Sequence, residues 1–413
     1  MRTQAFSAVA SLALGLVVIF VVSLEGQQLS FEAALQNLSH EDASVRLRTV
    51  RLLEASGHLD AAAPLARLLV DPVADVQLAA IETEASLFAL EPVPRRRRVA
   101  LFVEVRGGAT AATLFARGRL GVKPAPVPSA VIDGLARATN DDDPTVRVQA
   151  LYALAALADP PVDDALATNL SQRVIDPDAG VRVAAALALG RLGVTAAGDA
   201  IIYLLNDAHE PVRLAAMEAL GDLRASRALG ALLQQFEFYG RDRQAVAALR
   251  AMARIAHPSS APLFTSLLGA KDAGFRLHAY DGLGRIGDRR AVPQLEEALR
   301  SESRRDAQLA VRFALHRLER STLGQLVEGL RDRRLERQCR DYLIELGPSA
   351  TTELEGYLHA SDAAVRAGIA DVLGLTGGAS SIGRLDPLRA DRDPEVVAAA
   401  GRAIQRIELR IRP

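Results

Sequence analysis

Apolar residues recur along this chain in one repeated figure. From Val181 they fall again at Ala185, Ala188 and Leu189, from Val212 at Ala216, Ala219 and Leu220, and from Val365 at Ile369, Val372 and Leu373. Steps of four, three and one draw a single stripe along an α-helix. A polar phrase introduces each stripe, as in Asp176-Pro177-Asp178 before Val181-Arg182 and Asp207-Ala208-His209-Glu210-Pro211 before Val212-Arg213. The same start recurs at Val45-Arg46, Val146-Arg147, Phe275-Arg276 and Val365-Arg366, with looser copies at Val76, Gln244, Ala307, Leu335 and Val396. The aspartates predict N-caps, and proline suits the first helical position. Many stripes end in Leu-Gly, at Gly190, Gly221, Gly284 and Gly374. A left-handed glycine that stops the helix is the expectation there.

A second, shorter helix lies between successive stripes, as in Ala291 to Leu299 and Leu229 to Leu233. The starts therefore mark about eleven helical hairpins. One hairpin cannot bury its stripe alone, so the units must stack. The prediction is an all-α fold, an α-solenoid over residues 27–413, with small alanines letting neighbouring helices approach closely. The recurring arginines are expected to pair with acidic residues of adjacent units, at ~0–1 kcal/mol each where exposed. The last helix, from Glu395, carries Arg402, Gln405, Arg406, Glu408 and Arg410, which suits the polar outer face of a capping unit.

The phrase D-x-x-x-V-R-x-x-A-x-x-A-L-G, followed by A-V-P-x-L-x-x-x-L, resembles the HEAT-like repeats first named in phycobilisome lyases. The resemblance covers roughly residues 30–90 and 128–413. It implies a superhelix of HEAT units and leaves function open, because function lives in sites grafted onto a fold. Two enzyme relatives of such repeats offer a contrast. Deoxyhypusine hydroxylase places His-Glu pairs inside its helices, whereas this chain has His-Glu only at His40-Glu41 and His209-Glu210, in the turns. Phycobilin lyases act on cytoplasmic pigment proteins, a role at odds with the export signal described below.

The repeat breaks twice. Residues 91–127 fit neither helix of a unit. They hold Arg95, Arg96, Arg97 and Arg98, an alternating run through Phe102 that reads as a strand, and an Ala/Thr-rich run that reads equally as a short helix. An insertion on a solenoid usually maps to one face, often the binding face. A degenerate repeat packing as its neighbours do is the alternative. The second break gathers Phe236, Phe238 and Tyr239 in a unit without the Val-Arg phrase. Such aromatics either anchor a partner or fill a gap between irregular units.

Residues 1–26 stand apart, with an apolar stretch from Ala5 to Val22 after Met1-Arg2. They read as a cleaved export signal, as a membrane tether through residues 5–22, or as a buried helix. The first two readings place the rest of the chain outside the cytoplasm.

Composition narrows the chemistry. With 49 basic and 50 acidic residues the net charge is −1, which gives no electrostatic footprint for nucleic acid. The single cysteine, Cys339, falls on an apolar stripe and reads as a core residue. None of the seven histidines lies three to five positions from another, so no helical metal pair exists. No phosphate loop or nucleophile elbow is present. No cofactor is expected. The expected role is a non-enzymatic scaffold for protein partners. An enzyme accessory of the lyase or hydroxylase type and a structural subunit of an envelope complex are the alternatives. Partner-binding residues are sought at Arg95–Arg98, Phe102, Phe236, Phe238 and Tyr239.

Overall fold

The computed structural model describes residues 21–24, 27–90 and 110–412. It is a succession of helix pairs with one continuous core of alanine, leucine, valine and isoleucine. Each predicted start opens a helix, from Ala43–Ser56 and Ala74–Phe88 through Pro144–Leu157, Ala179–Arg191 and Glu210–Asp222 to Ala363–Thr376 and Pro394–Ile411. The aspartate caps are as expected: Asp42, Asp143, Asp178, Asp272, Asp362 and Asp393 each accept a backbone N–H of the first turn. These stripe helices stack side by side and form one layer. The shorter helices form the other.

Four features differ from expectation. Gly190, Gly221, Gly284 and Gly374 do not stop their helices; they lie inside them, and the positive φ values fall three residues later at Gly193, Arg224 and Gly287. Their role is close packing. A Cβ on Gly190 would lie 2.8 Å from Ala219 Cα, and one on Gly374 the same distance from Ala403 Cα. Second, the Glu336–Glu355 helix runs unbroken where other units turn, so it serves as stripe helix and partner helix at once. Third, a short hairpin precedes the all-α array: Val21–Leu24 pairs antiparallel with Gln27–Ser30. Fourth, the arginines of the last helix are not all on a solvated face. Gln405, Glu408 and Arg410 are exposed, but the side chains of Arg402 and Arg406 turn inward onto Asp371.

The stripe helices line the inside of the superhelix, because helices two units apart touch one another. Tyr342 Oη donates to Asp281 at 2.6 Å across 61 positions, and Arg285 Nε donates to Glu345 at 3.0 Å. Such contacts require tight curvature with this layer on the concave side.

Candidate functional site

The phrase arginines build a ladder along one edge of the array. Arg182 donates from Nε and Nη2 to the two carboxylate oxygens of Asp207, at 2.8 and 3.1 Å, and from Nη1 to the Asp176 and Pro177 carbonyls. Arg46 does the same with Asp71, Arg276 with Glu302 and Arg366 with Asp391. Arg147 reaches Asp176 with Nη2 at 2.8 Å. Each acid also accepts the backbone N–H two residues on, as Asp207 does from His209. One side chain thus locks its own turn to the next unit's turn. The Arg147 and Asp176 side chains are 9% and 3% exposed, so the energy scale of an exposed pair does not apply to this rung. The Arg276 guanidinium, bonded to Glu302, holds that carboxyl down at about 2.

One rung is different. The rung acid stands five residues before each stripe start: Asp71 before Val76, Asp207 before Val212, Glu302 before Ala307, Asp391 before Val396. Before Gln244 that position is Tyr239. Arg213 therefore has no carboxylate. Its Nε donates to Gln244 Oε1 at 2.8 Å, its Nη1 to the Asp207 and Ala208 carbonyls, and its guanidinium stands 5.6 Å from the centre of the Tyr239 ring. The next residue back, Phe238, is 81% exposed and edge-on to Tyr239 at 4.9 Å. A cavity of about 370 Å³ opens here, lined by Asn206, Arg213, Gln234, Gln235, Phe238 and Tyr239 among others. Of the aromatics singled out from sequence, Phe236 fills space, packed 5.3 Å from Phe275; Tyr239 is half-buried; Phe238 alone faces solvent.

The second region is the concave channel. Arg191 lies over the Phe115 ring at 4.4 Å. Burial by surrounding protein pushes the Arg191 guanidinium below its usual value, offset by Asp222 and Glu218 and reinforced by Arg337 and Arg254. The carboxyls of Asp222 and Asp341, which keep contact with solvent, are raised by the protein packed around them, although arginines face both. Asp341 and Arg191, 150 positions apart, thus lie within electrostatic range of one another. This polar convergence has no trace in the periodicity, because it depends on how tightly the superhelix winds.

The described part of the 91–127 break belongs to this region. Of its two sequence readings, the Ala/Thr-rich run is a helix, Ala111–Arg117, with Phe115 against Tyr152 at 5.4 Å. The strand reading, Arg95–Arg98 and Phe102 lie outside the described residues. The ends of the excursion are tied together: Leu90 N donates to Gly121 O at 2.8 Å and Lys123 N to Phe88 O at 2.7 Å. Arg406 Nη2, from the last helix, donates to the Leu120 and Val122 carbonyls at 3.2 and 3.0 Å. The end of the array is thereby fastened to its second quarter.

Cys339 is fully buried, its thiol donating to the Leu326 carbonyl and pushed up to about 12 by burial. Among the described residues no cluster of His, Cys, Asp and Glu could hold a metal ion, and no helix is long and apolar enough to cross a membrane.

Stacked helical hairpins joined by an Asp-capped Val-Arg turn define an α-solenoid of HEAT units. The family described as HEAT repeats matches residues 167–249 and 241–316, and the PBS lyase HEAT-like repeat matches residues 146–172. Residues 146–316 are therefore HEAT repeats, the first of them of the PBS lyase type. No curated protein matches it. Similar solved structures include an engineered protein, 18% identical over 91% of this chain and 98% of its own, at a TM-score of 0.43. YibA of Escherichia coli is 16% identical over 71% of this chain and 93% of its own, at 0.42. The complex of CpcE and CpcF of phycocyanin lyase from Nostoc sp. PCC7120 is 21% identical over 72% of this chain and 92% of its own, at 0.35.

Proposed function

We propose that this protein is a non-enzymatic scaffold that binds protein partners outside the cytoplasm. The observation that carries the reading is the contrast between the array and its one open edge. Cys339 and the other rung arginines are committed to packing and stacking. Phe238 is left exposed beside an arginine without a carboxylate. Large exposed aromatics next to a cavity are the usual anchors of protein interfaces. Ile175 and Tyr203, at 78% and 76% exposed, stand near the ends of the two preceding short helices. Affinity purification of the full-length protein from its native host, beside Phe238→Ala, tests this. A reproducible partner lost in the variant is expected. Finding no reproducible partner sinks the scaffold reading. The place outside the cytoplasm rests on residues 5–22, and sequencing the mature N-terminus after cell fractionation tests it.

The convergence of Asp222 and Asp341 on Arg191, Arg254 and Arg337 supports a second reading, an enzyme accessory acting through the channel. That reading expects Asp222→Asn and Asp341→Asn to abolish function in the native host while partner capture at Phe238 is unchanged.

A further inference from the structure

We propose that the Arg213 rung is a receptor for a carboxylate side chain of a partner protein, flanked by a large apolar residue. The inference rests on the scaffold reading and adds the chemistry of the ligand.

The array itself shows what belongs beside Arg213. In the other five rungs a carboxylate meets the arginine, in four of them through both oxygens, on Nε and Nη2. At Arg213 the chain supplies a neutral amide to Nε and carbonyls to Nη1, and Nη2 makes no hydrogen bond to the described residues. The nearby acids are engaged elsewhere. Asp207 is held by both arms of Arg182, and Glu210 pairs with Arg243. A guanidinium with one free fork, half-buried against a tyrosine face, is preorganised for a charge-assisted bond to an incoming carboxylate. Phe238 stands next to it with its ring in solvent, so a ligand entering the cavity would cover the ring and bind the arginine together. This selects an aspartate or glutamate adjacent to an aliphatic or aromatic residue. Neutral polar segments offer Nη2 only an uncharged acceptor and hence a weaker bond, and basic segments are repelled.

Two variants close the site without reshaping it. Gln244→Glu is isosteric and sets a carboxylate on Arg213 Nε; Phe238→Ala trims a side chain that is already 81% exposed. Random peptides displayed on phage are selected on the immobilised full chain, and the enriched sequences are synthesised and titrated by fluorescence anisotropy. Enriched peptides are expected to share Asp or Glu beside a large apolar residue. Their affinity is expected to fall about tenfold or more on Gln244→Glu, on Phe238→Ala, on Arg213→Gln, and on changing the peptide acid to its amide. Peptides that bind the parent chain and Gln244→Glu equally overturn this inference and leave the scaffold reading standing. Peptides that respond only to Asp341→Asn move the binding surface to the channel; they too overturn the inference and spare the scaffold reading. Self-association abolished by Phe238→Ala would assign the site to a second copy of the chain and overturn it as well. A library that yields no binder overturns both readings.

Discussion

Replacing Gly284 with alanine would set a methyl carbon 2.4 Å from Ala314 Cα and 2.7 Å from Ala314 Cβ. Carbon atoms prefer about 3.5–4.0 Å, so the Ala273–Ile286 and Arg305–Arg317 helices must part by roughly 1 Å. The obstacle is backbone, which cannot swing aside as a flexible side chain does. Overpacking of this kind costs about 1–3 kcal/mol, with the upper end apt for a backbone clash. Against it stands the helix propensity that alanine gains over glycine, about 1 kcal/mol. The expected net loss is about 2 kcal/mol, or roughly a thirtyfold fall in protection of those two helices by hydrogen exchange. The series supplies its own scale. Gly190→Ala and Gly374→Ala meet a Cα at 2.8 Å and should lose less; Gly221→Ala meets one at 3.1 Å and should be near neutral. Gly230→Ala, on a helix with nothing within 4 Å, should gain about 0.5–1 kcal/mol. Equal effects across the series, or a Gly284→Ala protein as well protected as its parent, would refute the claim that these glycines exist for helix approach.

Asp176→Ala strips a nearly buried rung and leaves Arg147 unpaired, so a loss of about 3 kcal/mol is expected in urea unfolding. The Glu302 carboxyl is depressed to about 2, chiefly by its bond to Arg276. The carboxyl of Asp391 is lowered in the same way by Arg366, and that of Asp207 is lowered because Arg182 and the His209 N–H together outweigh its burial. The stabilisation from Glu302 is full above its unfolded value near 4.5 and is lost as pH falls from there toward about 2, and that from Asp391 and Asp207 is likewise present above their ordinary carboxyl range and lost as pH falls below it; acid melts of Glu302→Gln should lose that dependence in part. Glu84 takes the place of a stripe leucine, is fully buried without a hydrogen bond, and has its carboxyl pushed up by burial. A raised carboxyl favours the folded state at low pH and costs stability as pH rises, so Glu84→Leu should be the more stable protein at neutral pH, with a margin that shrinks on acidification. Arg406→Ala should raise hydrogen exchange at residues 119–122, far away in sequence, with little change at the Ala179–Arg191 helix.

Local residue chemistry carries most of the fold. Asp-Pro starts, the stripe and the small residues at its packing positions specify each hairpin within about thirty residues, which is the range over which the signal is read. The glycines mislead for a physical reason: Leu-Gly at a helix end is a common stop, and only the neighbouring helix reveals that Gly284 faces Ala314. At the candidate site, the cluster of Phe236, Phe238 and Tyr239 is visible in the sequence because aromatics are scarce. The missing rung acid is not, because the one-residue lengthening before Gln244 hides which residue faces Arg213 until the partner distances are known. Arg191, Asp222 and Asp341 carry no local signal at all. They come together through superhelical winding, a property of summed small rotations between units.

The bond from Arg406 to the Leu120 and Val122 carbonyls gives this array a different relation to its own synthesis. An open solenoid settles unit by unit as it leaves the ribosome, each hairpin needing only its predecessor. Here one contact joins positions more than 280 apart, so it must wait until nearly the whole chain has emerged. It also fixes the number of units. Duplicating or deleting a hairpin, the change by which repeat proteins ordinarily lengthen and shorten, would carry Arg406 away from residues 120–122 and leave that bond unmade.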